Sequence, residues 1–258
     1  MVIYIGSRIA KLRPRKFQFL AAHLRDLFIV IASYRWNFKQ DGLISKHNFS
    51  FQNDSLFIQS KDKVVKALGV DYRIDLRLHQ AIWAARNGLR LKTKSKLVEL
   101  GTGKGYLMRT TIHYLESLGY RENFEVLLFD TFLPYSLSPD GAQTPASPIN
   151  PVYAHSFDSV KKLFESSNVR LIPGTLPDSL IGVDLKDISF LHIDLNNPHV
   201  EVDCLEKLWP YLIPNAIILI DDYSYVGNEE TLRVFNNFAL SKERPILTLA
   251  SGQGILIK

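Results

Sequence analysis

The sequence predicts an α/β protein built on a doubly wound, mostly parallel sheet, and three observations predict it. Apolar runs at 97–100, 126–129, 169–172, 188–193 and 216–220 are short, rich in Val, Ile and Leu, and mostly separated by stretches with helical periodicity. The first run breaks into glycines at alternate positions, Gly101, Gly103 and Gly105, and a helical pattern through Leu107, Ile112 and Leu115 follows. Three of the runs end on aspartate, at Asp130, Asp194 and Asp221. A strand that turns through glycine into a helix brings backbone N–H groups close to a ligand, and in open α/β sheets ligands bind at the carboxyl ends of the strands.

The glycine spacing narrows the ligand. Position 106 is Tyr, so the third glycine of a dinucleotide fingerprint is missing, and no Gly-Lys-Ser/Thr follows as in a phosphate-binding Walker loop. A nucleoside-binding βαβ unit ends its second strand in a carboxylate that takes the ribose hydroxyls, and Val126-Leu127-Leu128-Phe129 closed by Asp130 fits that role. The run Glu99-Leu100-Gly101-x-Gly103-x-Gly105 together with Asp130 resembles the cofactor site of the class I S-adenosylmethionine-dependent methyltransferases. The resemblance implies a donor held by Gly101, Thr102, Gly103 and Gly105, with Asp130 and Thr131 beside the ribose. Glu99 would fix the turn or the methionyl amino group, and Gly174 would lie beside the adenine by position alone. Two rivals stand beside this reading. One is a structural βα turn with a solvated Asp130, and the other is an NAD-linked enzyme, which the missing glycine disfavours.

Length and charge suggest two parts, a basic and largely helical extension over 1–71 and a catalytic domain over 72–258. Residues 1–96 carry 19 Lys and Arg against 6 Asp and Glu, a net +13; residues 97–258 carry 12 against 20, a net −8. Such asymmetry suits an anionic partner or a solvated basic face. Arg8, Lys11, Arg13, Arg15 and Lys16 precede the apolar run 27–32, which is too short to span a bilayer and reads as a buried or interfacial helix. No signal-peptide pattern is evident there, and Cys204 is the only cysteine, so a reducing, cytoplasmic setting is expected. Residues 40–60 read as a polar loop. Tyr72 to Leu89 reads as an amphipathic helix with Ile74, Leu78, Ile82 and Ala85 inward and Arg73, Arg77 and Arg86 off that stripe. Tyr72, Arg73 and His79 lie where a helix borders the cofactor pocket, with packing the commoner role. The proline-rich stretch from Pro134 to Pro151 is long for a loop and sits where a lid over the site would be. Helices are expected over 157–166 and 202–212, with an exit turn at Pro214-Asn215, and the chain closes on strands at 246–249 and 255–257 joined by Ser251-Gly252-Gln253-Gly254.

Asp194, Asp221 and Asp222 end neighbouring strands and converge on one pocket. Carboxylates so close repel one another unless protonated or bound to a cation, and oxygen-only ligands suit Mg²⁺. The alternative is that they cap the helices that follow. His192-Ile193-Asp194-Leu195-Asn196, then the run from Leu205 to Pro214, then Asp221-Asp222-Tyr223 is similar to the macrocin O-methyltransferase family. The likeness covers roughly 72–258. It implies a Rossmann-like methyltransferase fold, with seven strands, an antiparallel last strand and helices on both faces. It also implies Asp194, Asp221 and Asp222 as Mg²⁺ ligands, and an acidic general base two positions after the first of them. Asn196 stands there, and an amide cannot accept a proton at neutral pH. The cation itself with a ligand carboxylate such as Asp194, or His199, or His192, remain as ways to deprotonate the acceptor.

The sequence therefore predicts a Mg²⁺-assisted O-methyltransferase acting on a hydroxyl of a sugar, glycan or glycosylated natural product. A metal-independent small-molecule methyltransferase is the alternative. A nucleic-acid or membrane-surface binding protein using the basic region ranks last, because no recognition signature accompanies the charge. No specific nucleic acid and no transmembrane segment are expected. Peripheral membrane contact and self-association are left open.

Overall fold

The computed structural model describes residues 23–27, 36–132, 135–137, 143–145, 156–165 and 168–258. The basic cluster at 8–16 and the apolar run beyond Leu27 lie outside the described residues, as does most of the Pro134–Pro151 stretch. The chain divides into two compact units, Met1–Phe49 and Ser50–Lys258.

In the first unit β1 (Phe38–Gln40) and β2 (Leu43–Ser45) form an antiparallel hairpin that begins before the expected polar loop of 40–60 and runs into it. Asp41 and Gly42 both have positive φ, 50° and 70°, the geometry that two-residue hairpin turns require. Phe38 is buried with its ring centroid 4.7 Å from that of Phe49.

The second unit begins with α1 (Ser55–Leu68), which precedes the boundary at 71/72 drawn from the sequence. Asp54 caps it by accepting from the Leu56 and Phe57 amides, and Gly69 ends it in the left-handed conformation. Its Phe57 and Val64 face inward, and it packs on α3 (Tyr106–Ser117), whose Tyr114 hydroxyl donates to Asp54 Oδ2 at 2.8 Å. Between them α2 (Asp75–Leu89) starts three residues later than the periodicity suggested. Leu78, Ile82 and Ala85 are buried as predicted, but Arg77 is buried too, at 7% exposure. His79 stacks on Phe51 at 4.5 Å, a packing role.

Seven strands form one sheet in the order β10-β11-β9-β8-β3-β4-β7. They are β3 (Ser95–Leu100), β4 (Phe124–Asp130), β7 (Val169–Pro173), β8 (Ile188–Ile193), β9 (Leu212–Ile220), β10 (Ile246–Thr248) and β11 (Gly254–Ile257). The five from β9 to β7 are mutually parallel, and β11 runs antiparallel to β9. A short antiparallel pair, β5 (Tyr135–Leu137) and β6 (Gln143–Pro145), lies in the proline-rich stretch. Helix α4 (Phe157–Leu163) follows, then α5 (Pro198–Leu208) and α6 (Glu229–Ser241).

Strand side chains alternate between the two faces. Val98, Leu100, Leu127, Phe129, Leu191, Ile193, Ile218 and Ile220 face a core completed by Cys204, Leu205 and Leu208 of α5 and Phe235 and Phe238 of α6. The opposite face packs on α2, and it carries Glu99 and His192 as register partners on β3 and β8. Pro214 and Asn215, expected to form a turn, lie inside β9. The pairing with β8 slips between Ile188 and Phe190, and Asn215 takes a φ of 65° with its amide bonded to the Lys258 carbonyl. A bulge thus absorbs the turn chemistry and the strand continues.

Candidate active site

The carboxyl ends of β3, β4, β8 and β9 are knitted by one row of backbone hydrogen bonds. Gly101 donates to the Phe129 carbonyl at 2.8 Å, Asp194 to Leu100 at 2.9 Å, and Asp221 to Ile193 at 2.9 Å. The row puts Asp130, the glycine loop, Asp194 and Asp221 along a single edge. Sequence reasoning placed them there, and the structure brings them together.

Gly101, Gly103 and Gly105 all have positive φ, at 85°, 53° and 80°. A Cβ at Gly101 would lie 1.8 Å from the Asp194 carbonyl oxygen, and one at Gly105 would strike the Phe164 ring at 2.3 Å. Gly103 differs, because among the described residues beyond its chain neighbours no atom lies within 4 Å of where its Cβ would be. The loop is packed at both ends and open at its centre, the shape needed for a ligand to approach the backbone. Asp130 Oδ2 accepts from the Gly103 amide at 2.8 Å and Oδ1 from the Phe132 amide at 2.8 Å, so the carboxylate braces the loop; Thr131 lies beside it. Gly174 is joined to the Asp130 carbonyl through its amide at 3.0 Å, next to the same edge.

Below the loop Glu99 is buried, with Oε1 3.0 Å from His192 Nδ1. Glu99 Oε2, Thr102 Oγ1 and His192 Nε2 are buried polar atoms with no hydrogen-bond partner among the described residues. Such groups ask for a partner. Orphaned polar atoms under an open glycine loop fit a cofactor that brings an ammonium and hydroxyls, as S-adenosylmethionine does. Burial by itself lowers the His192 imidazole, but the carboxylates of Asp221 and Glu99 outweigh it and push it up to about 10.

The acidic edge is arranged differently from the expectation. Arg77, from the first turn of α2, places Nη1 2.6 Å from Asp221 Oδ2 and 2.8 Å from Asp222 Oδ1. Gln253 Nε2 donates to the other oxygen of Asp221 at 2.7 Å. Asp194 stands apart, its Oδ1 accepting from Asn196 Nδ2 at 3.2 Å, with Asn196 itself at a φ of 55°. Burial opposes ionisation of Asp221, yet the His192 imidazole 4.0 Å away and the Arg77 charge hold its carboxyl below the usual range. Burial first, and then the charge on Asp221, push Asp194 well above that range. Among the described residues no three His, Cys, Asp or Glu side chains are disposed to hold a metal ion. The donor set therefore does not fit the Mg²⁺ that the family resemblance implies, because a guanidinium and an amide already engage the oxygens it would use.

Beside these carboxylates lies a cavity of about 150 Å³ lined by Asp194, Asn196, Glu201, Asp222, Asn228 and Thr231, among others. His199 is not brought to Asp194. Its side chain is 70% exposed and its Nε2 is 3.1 Å from Glu230 Oε1. Sequence reasoning missed three residues: Arg77, Gln253 and Glu201. Glu201 is buried, and its Oε1 accepts from the Leu195 amide at 2.9 Å, fixing the turn after Asp194. Its signal was a carboxylate in the first turn of a helix opened by Asn197-Pro198.

The family described as "Methyltransferase domain" matches residues 98–223, from β3 through the aspartates that end β9. Residues 98–223 thus carry a methyltransferase domain. Solved structures agree in fold. The O-methyltransferase NovP is 18% identical over 70% of this chain and 79% of its own, with a TM-score of 0.60. The calicheamicin methyltransferase CalS11, described also as a TDP-rhamnose 3'-O-methyltransferase, is 15% identical over 82% of this chain and 94% of its own, with a TM-score of 0.54. A caffeoyl-CoA O-methyltransferase assignment attaches to a Staphylococcus aureus structure, 16% identical over 80% and 93%, with a TM-score of 0.50. No curated protein matches the methyltransferase significantly in sequence. No helix among its described residues is long and apolar enough to cross a membrane.

Proposed function

We propose that this methyltransferase transfers the methyl group of S-adenosylmethionine to a hydroxyl of a sugar, glycan or glycosylated natural product. The observation that carries the reading is the direct contact of the glycine loop with the end of β8. Gly101 has no room for a Cβ beside the Asp194 backbone, and the Asp194 carboxylate lines the adjoining polar cavity. A donor on the loop and a hydroxyl in the cavity would meet at Asp194. The lining offers carboxylates, amides and a threonine hydroxyl rather than aromatic faces, which suits a polyhydroxylated acceptor. The fold neighbour CalS11, described as a TDP-rhamnose 3'-O-methyltransferase, points the same way.

In this reading Gly101, Thr102, Gly103 and Gly105 hold the donor, with Asp130 and Thr131 toward the ribose, Glu99 toward the methionyl ammonium, and Gly174 toward the adenine. Asp194 accepts the acceptor's hydroxyl proton. The freed oxygen pair forms the new bond to the methyl carbon as the carbon–sulfur bond breaks, and that electron pair stays on sulfur as a neutral thioether. No acid is needed on the leaving side. Asn196 orients Asp194 by its amide donor. His199 serves no step from where it lies. A divalent cation has no role here, and the alignment of oxygen, methyl and sulfur supplies much of the rate. A screen with labelled donor against nucleotide sugars, glycosides and aromatic hydroxyls tests the proposal. Label on sugars supports it; turnover confined to aromatic acceptors, or absence of S-adenosylhomocysteine binding by calorimetry, overturns it.

A further inference from the structure

We infer that Arg77 is a built-in cation which takes the place of a divalent metal at the acidic edge, so that the working enzyme neither binds nor needs one there. The inference rests on the reading of this edge as the acceptor side of a methyltransferase site.

One guanidinium nitrogen bridges carboxylate oxygens of two successive residues, at 2.6 and 2.8 Å, which is the bridging position a metal ion would take. The remaining oxygen of Asp221 faces the Gln253 amide, whose N–H₂ presents hydrogens and repels a cation. Gln253 is buried and is held in turn by Ser251, whose hydroxyl also donates to Gln80 Oε1 at 2.6 Å. The ring nitrogen of His192 lies 4.0 Å from the same Asp221 oxygen, adding a further nitrogen-bearing group on that side. These donors come from α2, β8 and the last hairpin, so three separate elements converge to satisfy the pair.

Nor can Arg77 easily withdraw. Its side chain is 8% exposed, α2 is packed on the sheet behind it, and its guanidinium lies 5.8 Å over the Tyr225 ring. Arginine keeps its charge at any working pH, so a metal entering beside it would meet a fixed positive charge in a site of low dielectric. A neutral residue at 77 would leave the carboxylates open to metal; arginine fills the gap with a cationic nitrogen that engages both. Arg77 is thus a positioning residue. It holds Asp221 and Asp222 in place and leaves Asp194, outside the bridge, as the carboxylate facing the acceptor.

The test is a Mn²⁺ titration followed by electron paramagnetic resonance of the free ion, on the full chain with S-adenosylhomocysteine present. The native protein is expected to leave the free-ion signal unchanged into the millimolar range, and its methyl transfer to be indifferent to EDTA. Arg77→Met should uncover the carboxylates and bind one Mn²⁺ at least about 100-fold more tightly than the native chain, because two close carboxylates left without their cation demand another. Asp222→Asn added to that variant should abolish the gain. One Mn²⁺ bound by the native protein at micromolar concentration, lost in Asp222→Asn, overturns the inference, and so does a folded Arg77→Met that gains no affinity. The native titration decides even where Arg77→Met does not fold. Calorimetry of S-adenosylhomocysteine on the same samples reports the donor site separately, so failure of the broader methyltransferase reading shows there and not in the metal signal.

Discussion

Replacing Gly101 by alanine tests how closely the donor loop and the acceptor carboxylate are built into one another. The new Cβ would lie 1.8 Å from the Asp194 carbonyl oxygen and 2.7 Å from its carbon. Neither is a flexible side-chain end. Asp194 is tied to Leu100 and the preceding residue to Asp221, so the carbonyl can retreat only by pulling β8 away from β3 or β9. The left-handed φ of 85° adds about 1–2 kcal/mol for any residue with a Cβ. Overpacking adds about 1–3 kcal/mol more. Together these give a loss of about 2–5 kcal/mol, which for a chain of this size is a fall in Tm of roughly 5–15 °C. Gly103→Ala is the control. Its φ is also positive but its Cβ meets nothing, so it should cost only the backbone strain while placing a methyl group where the donor must approach. Differential scanning calorimetry and S-adenosylhomocysteine titration separate the two: Gly101→Ala loses stability, whereas Gly103→Ala loses affinity with a smaller change in Tm. A Gly101→Ala protein that melts within a degree of the native chain, or a Gly103→Ala protein with native affinity, would refute the reasoning.

Other outcomes follow from the same geometry. Asp130→Ala should weaken S-adenosylhomocysteine by about 10- to 100-fold in calorimetry, the worth of a charged hydrogen bond, and an unchanged isotherm would remove Asp130 from the donor site. Asp194→Asn should lower kcat by about 10²- to 10⁴-fold while leaving donor-product affinity nearly intact, measured by labelled methyl transfer on the acceptor found by screening. Burial first, then the charges of Arg109 and Lys63, lower the His113 imidazole to about 4. The unfolded chain then binds a proton from near pH 6.5 that the folded one refuses, so stability should fall as pH drops from 6.5 toward 4, by about 1–3 kcal/mol, and His113→Gln should flatten that slope in urea unfolding. Cys204 is buried in the α5 core, and burial pushes its thiol up to about 12. It should resist a disulfide reagent in the native protein and react fully in urea.

What could be read from sequence was whatever local pattern controls. Apolar runs set the strands, and β8 falls on 188–193 as read. The alternate glycines set the loop, and the aspartates set the site's edge. What escaped was long-range. A helix stripe sends its polar residues outward, which is correct for Arg86, but Arg77 is drawn in by carboxylates 144 and 145 residues further along the chain. Nothing near position 77 announces them. Gln253 looked like part of a turn because its partner, Asp221, is equally remote. The Pro214-Asn215 turn was misplaced for a related reason. Its dihedral demands are real, but β8 and the Lys258 amide region offered pairing that let the strand run through.

The turn at 251–253 is made after the other parts of the site, and this has a consequence for when the acidic edge is completed. During synthesis the glycine loop and the ends of β8 and β9 leave the ribosome before Gln253 exists, so for that interval Asp221 lacks its amide donor and α2 its tether through Gln80. The full set of donors to Asp221 is therefore complete only after residue 253 has been translated and folded back.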